Sequence, residues 1–192
     1  MSISLQKGQR VSLAKPGGGA LRRVRMGLGW DAVAKRGLFG KGKSQNIDLD
    51  ASCLLFDAAG NLADAVWFRQ LRSKDGSVLH TGDNLTGEGA GDDEVINVDL
   101  TSVPANVHRL VFTVNSFTGQ DFSQIANAFC RLVDEETGQE LARYDLTGAG
   151  GHNAQIMAKV ARDGDGWSMT AIGAIASGRT FQDLVPAVKE HL

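Results

Sequence analysis

Apolar and polar residues alternate with period two along much of the chain. Val24, Met26 and Leu28 alternate with Arg23, Arg25 and Gly27; Ile47, Leu49, Ala51 and Cys53 alternate with Asp48, Asp50 and Ser52. Val66 and Phe68 alternate with Trp67 and Arg69, and Ile96, Val98 and Leu100 with Asn97 and Asp99. Successive side chains of a strand point to opposite faces, so this period predicts half-buried β-strands. Further short apolar runs at 110–114, 128–133, 141–146, 156–161 and 167–175 complete the set. The runs are bounded by turn formers such as DAAGN, SKDGS, EETGQ and RDGDG, which predict hairpins. About ten such strands predict an all-β protein, an antiparallel β-sandwich with a short C-terminal helix. In TFQDLVPAVKEHL, Leu184, Val185 and Val188 share one helical face. With Asp183 as N-cap, Pro186 falls in the first turn, where proline is tolerated. This helix is read as a lid on the sandwich, in preference to a docking element.

Composition fits a single domain over 1–192: 42% hydrophobic and 22% charged residues mark a globular chain. The 24 glycines and 3 prolines suit a turn-rich β fold, and 6% aromatics argue against a stacking surface for single-stranded nucleic acid. The net charge of −2 hides an uneven distribution. Residues 1–74 carry 13 Lys+Arg against 5 acids, while residues 75–108 carry 7 acids and no Lys or Arg. Concentrated carboxylates repel one another, so they call for a cation or an exposed surface. Cys53 and Cys130 lie in apolar runs and read as buried free thiols. The start, MSISLQKGQR, lacks the apolar segment of a signal peptide, and no apolar run approaches the roughly 20 residues of a membrane span, which gives a cytoplasmic expectation.

The acidic belt contains TGDNLTGEGAGDDE, residues 81–94. It offers Asp83, Asn84, Thr86, Glu88, Asp92, Asp93 and Glu94 with no basic competitor, and its four glycines let the backbone turn carbonyls inward. Calcium takes 6–8 oxygens at about 2.3–2.6 Å, and oxygen donors without His or Cys favour it over zinc or copper. The segment is not an EF-hand, because Leu85 and Gly87 fall where oxygen side chains are needed. Its site must therefore be completed from elsewhere, with Asp31, Asp48 and Asp50 as the donors at strand ends. Asp48 and Asp50 share a face, pointing away from a core faced by Ile47, Leu49 and Ala51. The DGDG stretch at 163–166 reads as a hairpin turn.

GLGWD at 27–31, DLDAS at 48–52, TGDNLTGEGAGDDE at 81–94, NAFCRLV at 127–133 and ARYDL at 142–146 together resemble the TerD family of tellurium-resistance and stress proteins. The resemblance runs in order over nearly the whole chain. It implies a β-sandwich holding two adjacent Ca²⁺ ions, tellurite resistance, stress tolerance, and assembly with sister tellurium-resistance proteins at the inner face of the membrane. Carried over by motif, the metal ligands are Asp31, Asp48, Asp50, Asp83, Asn84, Glu88, Asp92, Asp93 and Glu94, with Leu85 supplying backbone oxygen. Two departures are an alanine at position 90, where members often carry an acid, and a basic, glycine-rich insertion at about 33–46.

That insertion includes Gly37-Leu38-Phe39-Gly40-Lys41-Gly42-Lys43-Ser44, which matches the Walker A phosphate-loop pattern. This is the alternative function: a nucleotide-binding protein using Gly37–Ser44. A phosphate cradle needs a buried strand before it and a helix after it, but the following QNIDLDASCLL alternates like a strand. Gly27-x-Gly29-x-x-Ala32 mimics a dinucleotide fingerprint with the same defect. The histidines His80, His108, His152 and His191 have no metal-ligand spacing to one another, and no Ser or Cys sits in a nucleophile motif, so the chain reads as non-enzymatic. His80 reads as an exposed strand-end residue and Trp30 as a core residue.

Overall fold

The computed structural model describes residues 3–4, 6–14, 19–32, 48–82, 91–145 and 150–192. In chain order these form β1 (Ile3–Ser4), β2 (Arg10–Ser12), β3 (Arg23–Ala32), β4 (Leu49–Phe56), β5 (Leu62–Val66), β6 (Val78–His80), β7 (Glu94–Asp99), β8 (Arg109–Ser116), β9 (Ile125–Asp134), β10 (Glu140–Asp145), β11 (Ala154–Asp163), β12 (Gly166–Ala176) and α1 (Phe181–Lys189). Sheet I has the order β1-β10-β9-β3-β7-β6, and sheet II the order β2-β12-β11-β8-β4-β5. The pairs are antiparallel except β1 with β10, where Ile3 lies opposite Ala142 in parallel register. Edge strands β1, β2 and β6 have two or three residues each, too few to show a period in the sequence.

The two sheets share one core. Val24, Met26, Leu28 and Trp30 of β3 and Ile96 and Val98 of β7 face Leu49, Ala51, Cys53 and Leu55 of β4 and Leu110, Phe112 and Val114 of β8. A second apolar layer lies on the outer face of sheet II. There Leu54, Phe56, Val111, Ile156 and Ile172 pack against Phe181, Leu184 and Val188 of α1. The helix is the expected lid. Strand β4 is consequently buried at every position.

The helix begins earlier than the sequence suggests. Thr180 is the N-cap and Asp183 lies in the first turn. The Asp183 carboxylate reaches back to accept the N–H groups of Arg179 (2.8 Å) and Thr180 (3.1 Å), which satisfies donors at the helix start. Pro186 then sits inside the helix, beyond the first turn. The run Val66–Arg69 also departs from expectation: β5 stops at Val66, and Trp67 and Gln70 exchange backbone hydrogen bonds of 3.0 and 2.9 Å. The Trp67 ring instead stacks edge-on against Phe68 and Phe181. The DAAGN, EETGQ and RDGDG turns connect hairpins β4–β5, β9–β10 and β11–β12. Gly164 supplies the left-handed turn conformation, φ 56°, between β11 and β12. Both cysteines are buried and unbridged.

Candidate metal centre

The acidic segment re-enters the described structure at Gly91 and runs into β7. Its last three acids turn to three different places. The Asp93 N–H donates to the Leu28 carbonyl (2.8 Å), and Asp93 Oδ2 accepts the Trp30 N–H (2.8 Å). Asp93 is therefore fastened to β3 beside Asp31. Glu94 points inward, is 1% exposed, and crosses from sheet I to sheet II, where its Oε2 accepts the Ala51 N–H at 2.7 Å. Pairing of β4 with β5 begins only at Cys53, opposite Val66, so Glu94 occupies the edge of β4 just ahead of it. Asp50 precedes Ala51; it is buried, and its Oδ2 accepts Asn115 Nδ2 at 3.1 Å. The same Asn115 amide donates to the Arg179 carbonyl (2.7 Å), linking the start of β4 to the segment before α1. Asp48 stands at the entrance to β4, half-buried.

Asp92 lies on the outer face of sheet I. Its carboxylate receives Arg131 Nε at 2.6 Å and Nη2 at 3.1 Å, with Arg25 Nε at 3.9 Å. Arg131 is also within 3.3 Å of Glu140. The Asp92 hydrogen bond and the charges of Asp92 and Glu140 push the guanidinium's proton affinity further up, against the opposing effect of burial. The seat for Asp92 is made by glycine. A Cβ on Gly27 would run into the Asp92 carboxyl group, and one on Gly29 would meet the Phe129 ring and the Gly91 carbonyl. The Gly27-x-Gly29 spacing that mimics a dinucleotide fingerprint is thus a gap in strand β3 for the returning acidic segment.

The sequence-derived ligand set is divided accordingly. Asp48, Asp50, Asp92, Asp93 and Glu94 are described in full. Asp31 is placed on β3 opposite Ala126 by its backbone alone. Asp83, Asn84, Leu85 and Glu88 lie outside the described residues, as does the glycine-rich insertion with Gly37–Ser44. Among the described residues, no three His, Cys, Asp or Glu side chains form a group able to hold a metal ion. Strand β4 begins at Leu49, shortly after Ser44. Among the described residues, the first element after that insertion is thus a strand, where a phosphate loop is followed by a helix.

Two neighbouring polar residues escaped the sequence reading. His80 is not exposed: it is 2% exposed, with Nε2 3.4 Å from Glu94 Oε2. It ends β6 opposite Ile96, on the same buried side of the strand as Val78. Asn115 looks like an ordinary polar break in the LVFTVNS run, and only the topology puts it against Asp50. Trp30 is a core residue, 2% exposed.

A β-sandwich whose acidic re-entry segment is pinned to one strand of each sheet defines the class, and comparison with known proteins gives it a family. The TerD domain matches residues 1–187, and the chain belongs to that family. It is 53% identical over 184 residues to "Tellurium resistance protein TerZ" of Serratia marcescens, covering 95% of this chain and 94% of that one. It is 42% identical to "Stress response protein SCP2" of Bacillus subtilis, covering 96% and 98%. The fold matches the crystal structure of a homologue of telluride resistance protein (TerD) from Streptomyces coelicolor, with TM-score 0.71 over 86% of this chain and 96% of that one, at 19% identity.

Proposed function

We propose that this protein is a calcium-binding, non-enzymatic module of tellurium resistance and stress response, holding two adjacent Ca²⁺ ions. The observation that carries the reading is the way Asp93 and Glu94 are fastened. One accepts the N–H before Asp31 and the other the N–H after Asp50. The end of the acidic loop is thereby tied to both strands that bear the other acids. The donor set fits the ion: the described candidates Asp48, Asp50, Asp93 and Glu94 are all carboxylates, hard oxygen donors of the kind Ca²⁺ takes. These residues, with Asp31, Asp83, Asn84, Glu88 and the Leu85 carbonyl, would hold the metal. Asp92 is the weakest member of the set, since Arg131 and Arg25 already face its charge.

A bound ion would supply positive charge that offsets repulsion among these carboxylates. The chain's own part is positional. Backbone N–H groups of two strands fix Asp93 and Glu94, and Asn115 fixes Asp50. Because Glu94 spans the two sheets, occupancy would strengthen a tie across the sandwich. Binding only to the folded state adds RT ln(1 + [L]/Kd), about 2.7 kcal/mol at a hundredfold excess over Kd.

Isothermal calorimetry on metal-stripped protein tests the reading. Saturable heat with calcium, weakened in Glu94→Gln and Asp93→Asn, is expected; no heat at millimolar calcium overturns it. Complementation of a tellurite-sensitive strain tests the physiological half. Assembly with sister proteins at a membrane surface belongs to the same proposal. Among the described residues no helix is long and apolar enough to cross a bilayer; liposome sedimentation at low and high salt, with and without calcium, tests the membrane contact.

A further inference from the structure

We infer that Asn115 couples the candidate metal site to the α1 lid, one buried amide holding both Asp50 and the chain that enters the helix. The link itself stands on geometry, and its regulatory meaning rests on the calcium reading. Asn115 lies directly opposite Asp50 in the β4–β8 register and shares the outer face of sheet II with Val111, beneath the lid. Its Nδ2 has two hydrogens and gives one to each side, to Asp50 Oδ2 at 3.1 Å and to the Arg179 carbonyl at 2.7 Å. Both neighbours are acceptors, a carboxylate and a carbonyl, so only the –NH2 end of the amide fits between them. Asn115 is 1% exposed and Asp50 3%. Water does not reach to replace either bond while the lid is closed, and a lost one leaves a buried polar group unsatisfied.

The chain entering α1 is gripped residue by residue. The Gly178 N–H donates to Asn153 Oδ1 at 3.1 Å, the Arg179 N–H donates to Asp183 Oδ2 at 2.8 Å, and the Arg179 carbonyl accepts from Asn115. A Cβ on Gly178 would strike Asp183 and Leu184, so this segment lies flat against the start of the helix. Of these grips, the Asn115 amide is the one that also holds Asp50. If α1 swings away with its lead-in, Asn115 loses one of its two acceptors and is free to turn from Asp50. If Asp50 is drawn into a fixed place, Asn115 is fixed with it, and the Arg179 carbonyl finds its donor waiting. Such coupling is reciprocal: whatever the closed lid does for the metal, the metal does for the lid. Calcium would then govern how often α1 lifts off Leu54, Phe56, Val111, Ile156 and Ile172, the apolar layer it covers.

Hydrogen exchange on the whole chain tests the link, without metal and with it. The α1 amides of Ala187, Val188 and Lys189 report opening of the lid, and the Val160 amide, on a strand flanked by β8 and β12, reports global unfolding. In metal-free protein, Asn115→Leu, close in size but without donors, should raise α1 exchange relative to Val160 by roughly tenfold. Asp50→Ala should raise it by roughly threefold and add nothing in an Asn115→Leu background. Asp50→Ala leaves Asn115 in place and keeps the test open if Asn115→Leu does not fold. An Asp50→Ala effect that is absent, or that survives in Asn115→Leu, overturns the link. So does α1 exchanging in step with Val160 in every variant. With saturating calcium, α1 exchange in wild type should slow by about fivefold or more, and folded Asn115→Leu should show no such slowing. Calcium binding that leaves α1 exchange unchanged in wild type, or slows it equally in Asn115→Leu, overturns the coupling. If wild type gives no calcium heat, the calcium reading fails on its own, and the metal-free comparison of Asp50 and Asn115 variants still decides the link.

Discussion

Asp92 and Arg131 meet through two nearly parallel N–H···O bonds, Nε to Oδ1 at 2.6 Å and Nη2 to Oδ2 at 3.1 Å, across the face of a glycine in the strand between them. Paired bonds of this kind fix orientation as well as charge. Arg131→Met leaves the Asp92 side chain, 5% exposed, with only Arg25 at 3.9 Å as a cation among the described residues. Unpairing a charged acceptor costs about 1.5–3 kcal/mol. The lower end is expected, because Arg131 keeps 26% of its side chain in water. Urea denaturation of the metal-free protein measures it; an unchanged midpoint contradicts the clamp.

Gly27→Ala and Gly29→Ala test the same seat from below. The new methyl groups would displace the Asp92 carboxyl group or the Phe129 ring, and overpacking of this kind costs about 1–3 kcal/mol. Gly166→Ala is the control. Its added Cβ meets nothing nearer than the Asp163 carbonyl at 3.8 Å, so its midpoint should stay within about 0.5 kcal/mol of wild type.

Asp183 sets a pH dependence at the start of α1. The N–H groups of Arg179 and then Thr180 hold its carboxyl below the ordinary range. A folded-state depression contributes stability above the unfolded pKa and loses it as pH falls through the folded value. Wild type should therefore melt above Asp183→Asn near neutral pH, with the two curves merging in acid. A gap in Tm that persists below pH ~2 would mean that the side chain acts through something other than its charge.

Cys53 and Cys130 should be silent in the folded protein. Burial pushes both thiols up, Cys130 to about 12 and Cys53 further, and the thiolate is the reactive form. A chromogenic thiol reagent at pH ~8 should find neither cysteine in native protein and both in guanidinium. Rapid native labelling of either would show that the core opens locally.

Much of this architecture was legible in the alternation of residues. Strands β3 and β7 have one face to the core and one outward, so from Arg23 to Leu28 and from Ile96 to Asp99 their polar and apolar positions separate. Strand β4 misled in an instructive way. Asp50 and Ser52 look like the water side of a strand, yet α1 brings a second apolar layer to that face, and Asp50 is 3% exposed with Asn115 as partner. A lid formed some 130 residues later is invisible to a local period. His80 escaped because β6 has only three residues, too few to show that His80 shares the buried side of Val78. The start of α1 was misplaced because an aspartate ahead of a helix resembles a cap. Here it serves from inside the first turn, with Thr180 taking the cap position. The chemistry of 81–94 was visible from its acids and glycines. What the sequence could not reveal was that Asp92, Asp93 and Glu94, three adjacent acids, are sent to three different neighbours.

The second apolar layer bears on how the chain is made. Leu54, Phe56, Val111, Ile156 and Ile172 come from strands translated well before α1. A nascent chain that has completed sheet II still lacks the cover for that surface. Until Phe181, Leu184 and Val188 leave the ribosome, the finished sheet presents a greasy plane to every other chain in the cell. A premature stop before Phe181 would thus yield a product with its hairpins intact and a standing invitation to clump. The turns of α1 guard the solubility of the strands synthesised before them.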